Sequence, residues 1–157
     1  MESTPDIASG VILAPGIALV RGVCRMFTQR GFASLTEFAT RDGLRMDVLA
    51  LGPKGEIWCV EVKSSRADFL SDCKWEGYLG WCNRFFFAVP ETFPDELLPF
   101  EPGLIRADPY GADILRWGPE EKLATARRKA MTLQFARNAA QRVQVLSDPR
   151  PRGPVVA

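Results

Sequence analysis

The chain has 157 residues, 46% of them hydrophobic and 25% charged, which is enough for one domain with a sizeable core. It contains no histidine, which excludes Ser-His-Asp and Cys-His catalysis and histidine-ligated metals. No run of about 18 apolar residues appears, and the acidic start MESTPDIASG is unlike a secretory signal. We therefore expect a cytoplasmic protein without a membrane span.

The net charge of +1 conceals an uneven distribution along the chain. Residues 1–120 carry 12 Lys or Arg and 17 Asp or Glu, whereas residues 121–157 carry 8 and 2. A basic C-terminal element on a mildly acidic body offers a surface for phosphate groups. The four cysteines contain no CxxC pair and are expected to be reduced thiols, with a four-cysteine zinc site as the alternative.

In chain order, the first half predicts a helix, three strands and a second helix. Apolar residues recur at helical spacing over about 17–30, before a natural stop at Gly31. Three strands are then indicated by ASLTEFAT, GLRMDVLAL and IWCVEVKSS, near 33–39, 43–51 and 57–65. The sequence GPKGE between the last two predicts a hairpin turn. A helical period begins at Ser65, the expected N-cap, with Asp68 in a capping-box position.

The second half predicts shorter strands and one long helix. RFFFAV reads as a buried strand, and GLIRAD and ADILRW as two short strands around the turn PYG. A helix is predicted over about 120–146, with Pro119 suited to its first turn. Its predicted core-facing stripe consists of Leu123, Ala126, Ala130, Leu133, Ala136, Ala140 and Val143.

These elements predict a single α/β domain over residues 1–157. Its core is expected over about 17–117, followed by the long C-terminal helix and preceded by a flexible segment at 1–15. The Pro-rich end, 148–157, is also expected to be flexible. Helices before and after a hairpin-containing sheet indicate a mixed sheet flanked by helices on both faces.

Three charged residues, Asp47, Glu61 and Lys63, stand on two segments that otherwise read as buried strands. Alternation puts Glu61 and Lys63 on one side of their strand, and the hairpin brings Asp47 near Glu61. Two carboxylates in a partly dry site repel each other, and a divalent cation with hard oxygen ligands removes that repulsion. Lys63 beside them can orient or deprotonate a water molecule, or stabilise developing charge on a phosphate.

The alternative is a structural ion-pair network of the same three residues on a solvated sheet face, because ExK is a common tripeptide. Against it, the strand around Glu61 is too apolar for an open face. Ser64, Ser65 and Arg66 directly after this strand also supply hydrogen-bond donors where a phosphate could approach.

Further candidates for DNA contact follow the site. Lys74 and Tyr78 share a helical face, so that Lys74 could contact a phosphate and Tyr78 could lie at the edge of the site, with Trp75 stacking on a base or sugar. Packing of Trp75 and Tyr78 under the sheet is the alternative. On the C-terminal helix, phosphate contact or anchoring to a partner is the functional interpretation, and a solvated basic face is the alternative, for five cations: Arg127, Arg128, Lys129, Arg137 and Arg142.

The arrangement of Asp47, a hairpin and EVK at 61–63 between two helices resembles the PD-(D/E)xK nuclease superfamily. That resemblance implies a restriction-endonuclease-like αβββαβ core over about 17–89, with Asp47 and Glu61 as metal ligands and Lys63 as the catalytic lysine. It also implies the backbone carbonyl of Val62 as a further ligand and Mg²⁺ or Mn²⁺ as cofactor. Met46 replaces the usual proline before the aspartate. The first helix lacks the acid sometimes found there, and Glu37 is the candidate additional acid.

Three longer stretches resemble the MmcB-like DNA repair proteins of bacteria more narrowly. They are RMDVLALxPKGEIWCVEVKSSRADFxxDxKWxxYxxWCxRFFFAV, GLIxADxYGA and ARRKAxxLQFARxAAxR. The resemblance covers most of the chain and implies DNA as partner.

Three hypotheses about function remain open on the sequence. The first is a metal-dependent endonuclease that hydrolyses DNA phosphodiester bonds during repair. The second is a DNA-binding repair module of the same fold without efficient turnover. The third is a scaffold whose basic tail meets an acidic partner. A homodimer is a further expectation, since many small nucleases of this shape pair to cut two strands.

Overall fold

A computed structural model describes residues 13–71 and 74–149, so the segments expected to be flexible lie largely outside the described residues. The described residues form α-helices α1 to α3 and strands β1 to β6. Their bounds are Pro15–Gln29 (α1), Ala33–Ala39 (β1), Arg45–Leu51 (β2), Ile57–Val62 (β3), Arg66–Ser71 (α2), Arg84–Val89 (β4), Gly103–Ala107 (β5), Ala112–Arg116 (β6) and Thr125–Ser147 (α3). The predicted order of helix, three strands, helix and strand is confirmed.

The six strands form one mixed sheet in the order β1-β2-β3-β4-β5-β6. The β1–β2, β2–β3 and β5–β6 pairs are antiparallel, and β3–β4 and β4–β5 are parallel. The predicted hairpin between β2 and β3 is confirmed. Gly55 in its turn has a φ of 83°, which favours glycine, and donates its N–H to the Gly52 carbonyl at 3.0 Å. The end of β3 therefore lies beside the start of β2.

Helix α1 covers one face of the sheet. Its buried residues are Leu19, Gly22, Val23, Met26 and Phe27. They pack with Trp58, Val60 and Val62 of β3, which share this face as the alternation predicts. Gly22 allows a close approach, because a side chain there would collide with the carbonyl of Asp108 in the β5–β6 turn.

The other face is covered by α3 and by a 3-10 helix at Trp75–Trp81. Tyr78, Met131 and Phe135 from these elements pack in one cluster with Cys59 and Phe85 of the sheet. The helical region that begins at Ser65 is divided into α2 and the 3-10 helix, and residues 72–73 between them lie outside the described residues.

Helix α3 differs from the prediction at its start and in its packed face. It begins at Thr125 because residues 119–124 are held to the start of β4: Asn83 and Glu121 exchange two hydrogen bonds, of 2.8 and 2.9 Å. Leu133 and Val143 of the predicted stripe are 58% and 60% exposed, whereas Met131 and Phe135 are buried. The helix has apolar side chains on two sides, and the sheet packs against the side that carries Met131 and Phe135. None of the helices within the described ranges has the length and apolar character needed to cross a bilayer.

Candidate active site

The site begins at a break in the β1–β2 ladder. The two strands pair from Ala33 to Thr36 and again at Phe38 and Ala39, and the pairing is interrupted where Glu37 would face Asp47. Glu37 has a φ of 51°, a left-handed conformation that costs free energy in a residue other than glycine. Such outliers cluster at functional sites, and this one lies opposite a predicted metal ligand.

The break also corrects one expectation about β2. Strict alternation would put Met46 and Val48 together on the face opposite Asp47. Instead, Met46 packs in the cluster under α3, and Val48 packs in the cluster under α1. The strand therefore changes face at Asp47, a distortion that a period of two cannot reveal.

Asp47, Glu61 and Lys63 line one cavity of about 330 Å³, as predicted. The cavity lies where β2 begins, β3 ends and the first turns of α1 pass over them. The remaining lining residues are Gly16, Ile17, Val20, Glu37, Val62 and Asp68. The sequence predicts Asp68 only as a helix-capping residue, and the structure shows that it is also part of the cavity wall.

Glu61 and Lys63 form a buried ion pair. The Lys63 Nζ lies 3.6 Å from Glu61 Oε1, and the two side chains are 5% and 10% exposed. Removing both charges from water costs more free energy than the pair regains in many proteins, and apolar residues of similar size are often as stabilising. Stability alone therefore explains the pair poorly. Because both side chains are buried, they are also not part of an ion-pair network on a solvated sheet face.

The carboxylate of Asp47 is held by the adjacent strand, because Oδ2 accepts a hydrogen bond of 2.7 Å from the Val62 N–H. Burial raises the pKa of Asp47, the Val62 N–H counteracts this, and the charges of Glu37 and Asp68 raise the pKa further, against a lowering by Lys63. Asp47 thus stands in a field of neighbouring acids.

The carboxylate oxygens at the site are the kind of ligand that a hard divalent cation prefers. Asp47 and Glu61 supply carboxylate oxygens. Burial, and to a lesser extent the neighbouring acids Glu37 and Asp68, raise the pKa of Asp47, and a cation would stabilise its ionised form. Within residues 13–71 and 74–149 there is no cluster of three or more His, Cys, Asp or Glu placed to hold a metal ion. Glu37 lines the cavity, but its carboxylate lies 2.8 Å from the Arg45 guanidinium.

The two serines after β3 cap helix α2. The Ser64 N–H donates to Asp68 Oδ2 at 2.9 Å, and Ser65 Oγ accepts from the Asp68 N–H at 3.1 Å. The predicted N-cap at Ser65 is confirmed, and the cap ties Asp68 to the cavity wall. Arg66 is exposed at the start of the helix.

The aromatic residues after α2 occupy the core. Tyr78 stacks on Phe85 with ring centroids 5.7 Å apart and donates its hydroxyl to the Arg45 carbonyl at 3.0 Å. Trp75 packs against Phe85 and Phe87 at 5.8 and 6.2 Å. For both residues the structure shows the packing alternative, while Lys74 is exposed.

The two predicted cations of α3 hold the helix to the body of the domain. Arg127 lies over the Trp81 ring at 4.0 Å and donates to the Gly80 carbonyl, and Arg128 donates to the Lys54 carbonyl at 2.9 Å. Arg142 of the same helix is a further cation that bonds to the domain. It donates to the carbonyls of Thr36 at 2.6 Å and Glu37 at 3.4 Å, which supports the distorted part of β1.

The comparisons with known proteins identify the family of the chain and support its fold. A family model described as DNA repair protein MmcB-like matches residues 6–150. The chain belongs to the MmcB-like DNA repair family. The structure is similar to that of a protein of unknown function from Silicibacter pomeroyi, with a TM-score of 0.88 and 55% identity over 92% of this chain and 99% of the other. No curated protein matches.

Proposed function

We propose that this MmcB-like protein is a Mg²⁺- or Mn²⁺-dependent endonuclease that hydrolyses DNA phosphodiester bonds during repair. The observation that carries the proposal is the convergence of Asp47, Glu61 and Lys63 on one cavity, with a lysine and a glutamate buried where apolar residues would serve packing equally well. The family's DNA repair description supplies DNA as the partner. The resemblance to the PD-(D/E)xK nucleases supports the same roles.

In this proposal Asp47 and Glu61 hold the cation, with the Val62 carbonyl as a third ligand and Glu37 as an additional acid. When bound, the cation supplies charge neutralisation at the scissile phosphate and lowers the pKa of water. The Val62 N–H fixes the orientation of the Asp47 carboxylate. Lys63 positions the attacking water and donates to the phosphate oxygen on which charge develops.

A DNA-binding module without turnover is the second candidate, and a specific observation favours it. Glu61 already pairs with Lys63, Asp47 already accepts from Val62, and no cluster of three metal-ligating side chains occurs in the part of the chain that the structure describes.

The test is a nicking assay on supercoiled plasmid and on branched DNA, with Mg²⁺ or with EDTA. We expect metal-dependent cutting by the wild type and a loss of at least about 100-fold in Lys63→Met, the usual contribution of a positioned acid-base group. Asp47→Asn should lose cutting as well, because it removes a carboxylate ligand of the proposed cation. Asp113→Asn, which removes an exposed carboxylate on β6, is the matched control and should cut normally. A homodimer that cuts both strands would yield linear plasmid without an accumulating nicked form.

Two outcomes contradict the nuclease. Cutting that persists in both site variants would come from a contaminant. Binding of DNA by the wild type without cutting under any metal would favour the second candidate.

A further inference from the structure

Helix α3 carries an unusual set of charges. Between Thr125 and Ser147 it has five cations and no acid: Arg127, Arg128, Lys129, Arg137 and Arg142. The first three follow directly after its start, where the helix dipole disfavours positive charge. Helix stability therefore does not account for them.

The five cations divide into two groups. Arg127, Arg128 and Arg142 bond to backbone carbonyls of the domain, as described above. Lys129 and Arg137 are exposed and, with Arg41 from the β1–β2 turn, line a groove of about 700 Å³ along the outer side of α3. The other lining residues are Ala126, Ala130, Leu133, Gln134, Asn138 and Gln141. Within residues 13–71 and 74–149, no carboxylate lines the groove.

We propose that this groove, lined by Arg41, Lys129 and Arg137, binds the sugar-phosphate backbone of duplex DNA without reading its sequence. Lys129 and Arg137 are eight residues apart on α3, about 12 Å along the helix axis, so they contact separate phosphates. The side-chain amides of Asn138 and Gln141, which follow Arg137 along the helix, add hydrogen-bond donors. Among the described residues that line the groove, none is an aromatic residue on which an unpaired base could stack, which favours a duplex over a single strand.

The groove lies beside the proposed active site. Gln134 donates to the Ala39 carbonyl at 2.6 Å, two residues from Glu37, and Arg142 reaches the Glu37 carbonyl itself. Helix α3, which carries the groove, is therefore tied to the part of β1 that holds Glu37 at the cavity. The inference rests on DNA as the partner named in the proposed function, and it does not depend on cleavage.

An acidic protein segment is the competing occupant. Leu133 is the one large apolar side chain among the groove's lining residues, whereas protein interfaces usually have an apolar or aromatic centre. Three cations and several amides around it suit a chain of phosphates better.

The experiment measures the affinity of the full chain for a 20-base-pair duplex of mixed sequence by fluorescence anisotropy over a salt series in EDTA. The groove variant is Arg41→Gln, Lys129→Gln and Arg137→Gln together. The control variant is Arg25→Gln, Lys54→Gln and Lys122→Gln, which removes three exposed cations elsewhere and changes the net charge equally. A second duplex of shuffled sequence and a poly-glutamate chain serve as competitors.

Log affinity decreases with log salt, and we expect the magnitude of this slope to be smaller by about 2 to 3 in the groove variant, close to 0.9 per lost phosphate contact. In the control variant the slope should stay unchanged. Asp47→Asn should keep the wild-type slope, so a failure of cleavage and a failure of groove binding are distinguishable. Both duplexes should compete equally. Three results would overturn the proposal. The groove variant could keep the wild-type salt slope, or the groove and control variants could lose the same amount of slope. The groove variant could also lose binding of poly-glutamate while its DNA binding stays intact.

Discussion

The cavity of Asp47, Glu61 and Lys63 and the groove on α3 place charge in opposite environments. Lys63 and Glu61 are almost fully buried and only 3.6 Å apart, whereas Arg41, Lys129 and Arg137 stand exposed around an open groove. A buried charge interacts strongly with its neighbours and is costly to desolvate, while an exposed charge acts over distance and is weakened by salt. The first arrangement suits chemistry at one phosphate, and the second suits holding a long polyanion.

The contrast between the buried charges of the cavity and the exposed charges of the groove is tested most severely by removing the positive charge of Lys63. Lys63→Met leaves the Glu61 carboxylate buried beside an apolar chain, and we expect a loss of about 3–5 kcal/mol in the free energy of unfolding. Adding Glu61→Gln should recover a large part of it, because the buried charge is then gone. Urea denaturation of the two variants and the wild type measures both effects.

Lys129→Met in the groove is the matched control, and its effect should stay within about 0.5 kcal/mol, as for most exposed substitutions. Equal effects of Lys63→Met and Lys129→Met would remove the distinction between the two regions.

The pH dependence of stability sharpens the comparison further. Because the pKa of Asp47 is raised in the folded state, its ionised form destabilises the fold above that pKa, and the penalty disappears as pH falls through it. In EDTA, Asp47→Asn should therefore gain stability relative to the wild type at pH 7, since the amide oxygen can still accept from the Val62 N–H. The gain should shrink toward pH 4 when urea denaturation is repeated there. A stability gain of Asp47→Asn that does not change with pH would contradict a raised pKa of Asp47 in the folded state.

The smallest expected effect separates the anchoring cations of α3 from those of the groove. Arg127→Ala removes the contact with Trp81 and the bond to Gly80, and should lower stability by about 1 kcal/mol with little change in the salt slope of DNA binding. Arg137→Ala should do the reverse, lowering the slope by about 1 with no loss of stability. Thermal denaturation and the anisotropy series measure the pair. If both variants behave alike, α3 has no division between anchoring and binding.

Much of the fold could be predicted from the sequence because it follows local rules. The helical period before Gly31, the strand patterns and the Gly-containing turn before Glu56 each predicted an element that the structure contains. The predicted start of the C-terminal helix lies too near the N-terminus, because Pro119 suits a first helical turn. In the structure, the Asn83–Glu121 hydrogen bonds hold that segment out of the helix. Hydropathy alone also could not decide which side of an alanine-rich helix meets the sheet.

The candidate site divides in the same way. Its three residues could be selected because charged side chains interrupt apolar strands, and a hairpin turn brings those strands together. Strict alternation missed the change of face at Asp47 and the left-handed backbone of Glu37, since both arise where two strands fail to pair. The roles of Trp75 and Tyr78 stayed undecided because an aromatic side chain serves either packing or stacking, and only Phe85 beside them settles it.

By itself, the sequence determined the order of the elements, the hairpin and the identity of the two acids and the lysine, because periodicity and turn chemistry act between near neighbours in the chain. Only the tertiary structure decided which cations are tied to the domain and which face water, and which aromatic rings are buried. Those outcomes depend on the surfaces that distant segments cover, such as α3 against β1, and no local pattern encodes that contact.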